Sequence, residues 1–146
     1  MSGSERTKIL FICFGNMIRS QMAEGFGRSY GDAFLDVYSA GLHPTGVVSA
    51  EAIQVMREKG IDISGHHSKG IDDVPIEEMD IVVSLTGHAA ADICPPSFTG
   101  STVDWKIDDP VGQHFERFRT ARDEIEARVR ELVETIWKTG GPPQTG

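Results

Sequence analysis

The sequence predicts an α/β fold in which a four-stranded parallel sheet carries helices on both faces. Short apolar segments alternate with helical patterns along the 146 residues, and this alternation is typical of parallel sheets. Residues 81–85 (Ile-Val-Val-Ser-Leu) form a β-branched segment of the kind that is buried on both faces of a sheet. Ligands of such folds bind at the carboxyl ends of the strands, so a functional site is expected there.

The elements follow one another without a linker that would divide the chain. Strands are predicted at residues 8–12, 35–40, 81–85 and 101–106. Helices are predicted from residue 21 to about residue 31, over residues 50–59 after the N-cap Ser49, in a short turn at 89–94, and along an apolar stripe from Phe115 to Ile136. We therefore predict one domain over residues 1–139 and a disordered Gly- and Pro-rich tail over residues 140–146.

Charge and cysteine content exclude several classes of partner. The formal net charge of −8 argues against binding to nucleic acid or to an anionic membrane surface. The two cysteines are too few for a disulfide framework and suit a reducing compartment, and the first seven residues lack the apolar core of a signal peptide. We expect a cytoplasmic enzyme, and nothing in the sequence demands more than a monomer.

The segment CFGNMIRS, between the first predicted strand and the first predicted helix, is the candidate site. Curled backbone N–H groups and a helix N-terminus bind oxyanions there, and these dipoles together with Arg19 are expected to lower the pKa of the Cys13 thiol. Arg19 presents a fork for two oxygens, Asn16 tolerates left-handed dihedrals, and Ser20 is placed to support the thiolate and cap the helix. The predicted substrate-binding residues are Phe14, Gly15, Asn16, Met17, Ile18 and Arg19. The alternative interpretation is that Cys13 is a buried thiol of the strand and Arg19 is a surface charge, without a binding site between them.

The stretch ILFICFGNMIRSQMAE resembles the phosphate-binding loop of the low-molecular-weight protein tyrosine phosphatases and, more closely, that of the related thioredoxin-coupled arsenate reductases. The resemblance extends to about Trp137 and implies their flavodoxin-like sheet. It implies that Cys13, Arg19 and Ser20 are catalytic and that Asp109, which precedes Pro110, is the general acid. Asp108 is the competing candidate, and a plain Asp-Pro turn is the alternative without catalysis.

The resemblance leaves two chemistries and one binding function open. A phosphatase forms a phosphocysteine that water hydrolyses, whereas an arsenate reductase forms an arseno-thiol adduct that a second thiol attacks. The stretches YSAG, GIDISGH, DDPVG and FRTARDEI resemble the reductases. Aromatic residues that wall the phenyl-ester slot of the phosphatases are replaced by Leu42, His43, Val111 and Gly112. The third hypothesis is a non-catalytic module that binds an oxyanion or a phosphopeptide.

One departure from the reductases concerns the thiols that relay electrons. Cys94 matches the second relay cysteine, but the first is Thr86 here, and Ile18 replaces another cysteine common in both branches. Cys94 is therefore a candidate resolving thiol, or equally an inert buried one. If reduction is retained, the implied partner is thioredoxin, glutaredoxin or a small thiol, alongside arsenate, phosphate or a phosphoprotein as substrate.

No metal ion or other cofactor is expected. Asn16, Glu24 and Ser39 match positions that bind potassium in some of the resembling reductases, but a remaining carboxylate position is Lys69 here. Its ammonium would take the place of the ion. Alternatively, Glu24 simply favours the first turns of a helix. The remaining polar candidates show no ligand spacing and are predicted to be surface or packing residues: His43, His66, His67 and His88.

Overall fold

The computed structural model describes residues 6–139, which contain four strands and four α-helices in alternation. The strands are β1 (Thr7–Cys13), β2 (Leu35–Gly41), β3 (Ile81–Ser84) and β4 (Ser101–Asp104). The helices are α1 (Arg19–Gly31), α2 (Ala50–Arg57), α3 (Ala90–Ile93) and α4 (Phe115–Thr139). Two 3₁₀ turns, Ile71–Asp73 and Ile76–Glu78, lie between α2 and β3. The predicted tail, residues 140–146, lies outside the described residues.

The four strands form one parallel sheet in the order β2-β1-β3-β4, so the predicted fold class is confirmed. The chain leaves β1 for the neighbour on one side and later returns to pair β3 on the other. The carboxyl end of β1, at Cys13, is therefore the topological switch point of the sheet, which is where ligands of open α/β folds bind. The position of β1 in the sheet thus places the CFGNMIRS loop at the expected site.

Alternation along β1 divides the core into two clusters, one on each face of the sheet. Ile9, Phe11 and Cys13 belong to the larger cluster, which includes apolar residues of α1, α2 and α4. Leu10 and Ile12 belong to a smaller cluster, which is covered by α3 and the two 3₁₀ turns. Helical elements therefore cover both faces of the sheet, but the three longer helices α1, α2 and α4 lie on the face to which Cys13 points. Among residues 6–139, no helix is both long and apolar enough to cross a bilayer.

Some local predictions differ from the structure. Helix α1 begins at Arg19, its N-cap position is Ile18, and no side chain caps it, so the predicted capping role of Ser20 is wrong. The hydroxyl of Ser20 is instead engaged with Cys13. Strand β4 ends at Asp104, two residues earlier than predicted, because the next residues turn toward the site.

Candidate active site

The segment after β2 holds the loop between β1 and α1 by donating hydrogen bonds to the carbonyl groups of the loop. Backbone N–H groups of residues 42–49 donate to these carbonyls at 2.8–3.1 Å, in the pairs Leu42–Cys13, His43–Phe14, Thr45–Gly15 and Ser49–Met17. The N–H groups of residues 14–18, by contrast, make no hydrogen bond with any other group of residues 6–139. Carbonyls bound from outside and unpaired N–H groups together form an anion-binding nest.

Two local features allow this loop conformation. Asn16 has a left-handed φ of 48°, as its side chain was predicted to tolerate. Gly41 at the end of β2 lies directly against it: a Cβ atom there would be only 2.7 Å from the backbone nitrogen of Asn16. A larger residue at position 41 would push the loop out of its conformation.

The nucleophile candidate has a polar partner although it is almost fully buried. Cys13 is 2% exposed, and its Sγ lies 2.8 Å from Oγ of Ser20. Because Ser20 Oγ accepts a hydrogen bond from Asn16 Nδ2 at 2.8 Å, its own proton is available for the sulfur. A hydroxyl that donates to sulfur stabilises the thiolate over the thiol.

Behind the loop, this hydrogen-bond chain continues to a buried carboxylate. Asn16 Nδ2 also donates to Ser39 Oγ at 3.0 Å, and Ser39 donates to Glu24 Oε1 at 2.6 Å. Two cations face Glu24: Arg28 Nε at 2.8 Å and Lys69 Nζ at 3.9 Å, the latter also 3.3 Å from Ser39 Oγ. The Lys69 ammonium thus lies among the side chains that the resemblance assigned to a cation. Within residues 6–139 no cluster of His, Cys, Asp and Glu has the arrangement of a metal site.

Gln21 is a positioning residue that sequence analysis missed. Its Nε2 donates to the Asn16 backbone carbonyl at 3.2 Å and to Asn16 Oδ1 at 3.0 Å, and its Oε1 lies 3.0 Å from Nδ1 of His66. Burial is the main influence on His66 and lowers its pKa, while the Glu24 carboxylate opposes that shift. The signal that could have revealed Gln21 is its place between Ser20 and Glu24 in the first turns of α1, where polar side chains are buried behind the loop.

Backbone carbonyls fix Nη1 of Arg19, whereas the Nε–Nη2 edge of its guanidinium faces the side chain of Asp109. Its Nη1 donates to the carbonyl oxygens of Leu85 at 2.6 Å and Ile107 at 3.0 Å, which lie just beyond β3 and in the segment after β4. Its Nη2 lies 3.5 Å from Asp109 Oδ2. Nε has no partner among the described residues, so the Nε–Nη2 edge can donate two parallel hydrogen bonds to an oxyanion.

Three of the four catalytic candidates line one small cavity of about 160 Å³, and the fourth, Ser20, instead contacts Cys13 Sγ. Cys13, Arg19 and Asp109 all line it, whereas Asp108 does not, so the geometry favours Asp109 as the acid. Asp109 Oδ1 accepts a hydrogen bond from Val111 N at 3.1 Å, and its side chain is 40% exposed. Of the predicted substrate-binding residues, all but Asn16 line the cavity, because the side chain of Asn16 turns into the network behind the loop.

The mouth of the cavity carries one aromatic ring. Phe14 is 53% exposed and its ring centroid lies 5.0 Å from that of His43. Thr45 and Val111 complete the rim. Because positions 42–43 and 111–112 lack the aromatic residues of the phosphatases, the sequence suggested that an aryl group has little to stack on. The structure shows that Phe14, in the loop itself, offers an exposed aromatic ring.

The second cysteine lies in different surroundings. Cys94 follows α3 and packs against the smaller core cluster, on the face of the sheet opposite Cys13. Burial raises the pKa of the Cys94 thiol. At the first relay position, Thr86 Oγ1 accepts from His88 N at 2.8 Å and bonds Ser84 Oγ at 2.9 Å. Cys13 and Cys94 therefore lie in different core clusters, and the residue between them at the first relay position carries a hydroxyl instead of a thiol.

Comparison with known proteins places these observations in a family. The family model described as low molecular weight phosphotyrosine protein phosphatase matches residues 8–140. An arsenate reductase of Halalkalibacterium halodurans is 46% identical over 87% of this chain and 95% of its own length. A glutaredoxin arsenate reductase of Synechocystis is 40% identical over 88% and 98%, respectively.

Two solved structures show the same fold. An arsenate reductase in the phosphate-binding state has a TM-score of 0.80 and 39% identity, covering 89% of this chain and 98% of that one. The YwlE arginine phosphatase from Geobacillus stearothermophilus has a TM-score of 0.81 and 30% identity, covering 91% and 94%. The chain therefore belongs to the low molecular weight phosphotyrosine protein phosphatase family of enzymes, and within it is similar to arsenate reductases over most of its length.

Proposed function

We propose that this chain is a thiol-dependent arsenate reductase in which Cys13 is the nucleophile. The observation that carries the proposal is the single cavity lined by Cys13, the Nε–Nη2 edge of Arg19 and Asp109, together with the unpaired N–H groups of the loop. Such a cradle matches a tetrahedral oxyanion in shape and charge. The similarity to arsenate reductases over most of the chain supports arsenate as the substrate.

In the first step, the Cys13 thiolate attacks arsenic while Arg19 and the loop amides hold the oxygens. Asp109 gives a proton to the departing oxygen, which leaves as water, and a Cys13–arsenic(V) bond remains. Ser20 donates a hydrogen bond to the sulfur before the attack. The side chains of Asn16, Ser39 and Glu24 keep Ser20 in that orientation.

In the second step, an external thiolate attacks the Cys13 sulfur. The sulfur–arsenic bond breaks, its electron pair stays on arsenic, and arsenite leaves, so arsenic gains two electrons and the two sulfurs form a disulfide. A further thiol then reduces this disulfide. We assign the thiol to an external donor because Cys94 lies on the other face of the sheet and position 86 is a threonine. The relative named a glutaredoxin arsenate reductase supports a donor of the glutaredoxin system, either glutaredoxin itself or the small thiol that works with it.

This chemistry requires no metal ion and no organic cofactor, and we propose that none is used. The Lys69 ammonium beside Ser39 and Glu24 supplies the positive charge that this part of the network needs. Because the reaction consumes reducing thiols, we infer that the protein works in the cytoplasm.

Phosphomonoester hydrolysis is the second candidate function. The same loop, arginine and acid would form a phosphocysteine and release it with a water activated by Asp109. The exposed ring of Phe14 at the mouth favours this candidate, because it offers a surface to an aryl group.

Parallel assays separate the candidates. The purified full chain is given arsenate with glutathione plus glutaredoxin, or with the thioredoxin system, and separately p-nitrophenyl phosphate. We expect arsenite to form, and to disappear in Cys13→Ser but not in the control Cys94→Ser. Ester hydrolysis without arsenite would instead support the phosphatase. Oxyanion binding without either reaction would support a non-catalytic module.

A further inference from the structure

A second, larger cavity adjoins the Cys13 cavity, and we call it the α4 groove. It has a volume of about 430 Å³ and lies between the segment after β4 and the first half of α4. Its polar lining comprises Asp108, Gln113, Arg117, Thr120 and Glu124, and Asp109 borders both cavities. A molecule whose reacting atom reaches Cys13 past Asp109 can therefore place its body in this groove.

The groove offers charges of both signs that have no partner among residues 6–139. The guanidinium of Arg117 and the carboxylates of Asp108 and Glu124 make no hydrogen bond or ion pair with other side chains of residues 6–139. Arg117 and Glu124 are seven residues apart on α4, which separates them by ~10 Å along the helix axis. Opposite charges at this separation suit an extended zwitterion the size of a short peptide.

We propose that the α4 groove binds the charged body of a small peptide-like thiol that reduces the Cys13 adduct. A carboxylate of the thiol pairs with Arg117, and its ammonium group lies against Glu124 or Asp108. This inference rests on the proposed function for the identity of the reaction, but the groove itself is defined independently of arsenate. It also explains how the site operates without an internal relay: the electron donor is held beside Asp109 instead of being carried on the chain.

The covalent step balances without any further reagent. The bound thiolate forms a bond to Cys13 Sγ, the sulfur–arsenic bond breaks, and arsenite leaves with the electron pair. The product is a mixed disulfide between Cys13 and the small thiol. A second molecule of the same thiol releases Cys13 and leaves as the symmetric disulfide.

The test compares a charged thiol with a neutral one. Arsenite formation is measured with glutathione and with 2-mercaptoethanol as the only reductants, and the ratio of their second-order rate constants is taken for each variant. We expect Arg117→Glu to lower the glutathione-to-mercaptoethanol ratio about tenfold, the value of one charge-assisted hydrogen bond. The matched control is Arg128→Glu, which makes the same charge change on α4 outside the groove. Equal ratios in Arg117→Glu, Arg128→Glu and the unchanged chain would overturn the proposal.

If no thiol supports arsenate reduction, the proposed function is wrong but the groove proposal is not yet decided. A second measurement then tests the groove without arsenate. Oxidised glutathione and bis(2-hydroxyethyl) disulfide are each reacted with the protein, and mixed-disulfide formation at Cys13 is followed by intact mass. A preference for oxidised glutathione that falls in Arg117→Glu supports the groove without any arsenate chemistry. A preference unaffected by Arg117→Glu, or none at all, overturns it.

Discussion

The two cysteines of this chain show how surroundings decide what a thiol can do. Cys13 is the more buried of the two, yet its sulfur has a hydroxyl partner, an arginine lines the same cavity, and five amides of the loop have no partner among residues 6–139. Cys94 is partly exposed but packs among apolar side chains, where burial raises its pKa. Exposure therefore does not distinguish a reactive thiol from an inert one, whereas the polarity of its neighbours does.

The largest effect is expected at Arg19, because its planar guanidinium contacts the protein and the substrate at the same time. Arg19→Lys should lower kcat/KM by about 10²–10³, because an ammonium cannot hold the Leu85 and Ile107 carbonyls and two substrate oxygens together. The assay is p-nitrophenyl phosphate hydrolysis or arsenite formation, whichever the chain supports. Arg28→Lys, which alters a cation behind the loop, is the control. A loss below tenfold in Arg19→Lys would show that point charge alone is sufficient.

Removing the acid should have the next largest effect. Asp109→Asn is expected to lower kcat by roughly 10²-fold, the usual contribution of a general acid. Asp108→Asn should cause a loss at least tenfold smaller in the same assay, because Asp108 does not line the Cys13 cavity. Similar losses in the two variants would contradict the assignment of the acid to Asp109.

The network behind the loop should influence folding stability as well as catalysis. Lys69→Met leaves the buried Glu24 carboxylate with one fewer cation and should lower the free energy of unfolding by about 1–3 kcal/mol. Urea denaturation measures this change, and Lys106→Met, at an exposed position without an ion pair among residues 6–139, serves as the comparison. If Lys69→Met were as stable as the unchanged chain, the ammonium would have no supporting role.

A smaller effect is expected from His66, whose pKa is lowered mainly by burial. The unfolded chain then binds more protons than the folded one below the ordinary histidine pKa of about 6.5. The free energy of unfolding should therefore decrease as the pH falls through that range, and His66→Gln should reduce the decrease. Urea denaturation at pH 7.5 and pH 5.5 gives the slope. An identical slope in both proteins would assign the pH dependence to other groups.

The smallest effect is expected at the second cysteine. Cys94→Ser should leave arsenite formation with a small thiol within about twofold, the range of a substitution that touches no functional group. The rate is measured beside that of Cys13→Ser. A large loss in Cys94→Ser would show that Cys94 reaches Cys13 through a rearrangement of α3, and the comparison between the two thiols would then have to be revised.

Sequence reasoning predicted the fold and the residues of the loop well, because these depend on local patterns. The alternation of strands and helices, the left-handed Asn16 and the pairing of Lys69 with Ser39 and Glu24 all agree with the structure. Two roles were predicted for Ser20: its hydroxyl bonds Cys13 as expected, but the predicted capping of α1 is wrong.

Other features depended on contacts between distant segments. Gln21 connects Asn16 to His66, which lies 45 residues after Gln21 in the sequence. A local sequence pattern cannot predict a bond over that distance. The carbonyls of Leu85 and Ile107 that hold Arg19 come from backbone, which carries no sequence signature. On α4, Glu134 pairs with Lys138 one turn further along, whereas Glu126 pairs with Lys59 from a distant segment. Tertiary partners outcompeted the local one at that position.

The external hydrogen bonds from residues 42–49 have a consequence for selectivity. They fix the loop between β1 and α1 before any ion binds, so the loop recognises a tetrahedral anion by its shape and charge. Phosphate and arsenate are nearly identical in both respects. A cradle of this kind does not separate the two ions by affinity, so the choice between them depends on which central atom accepts electrons from a thiol.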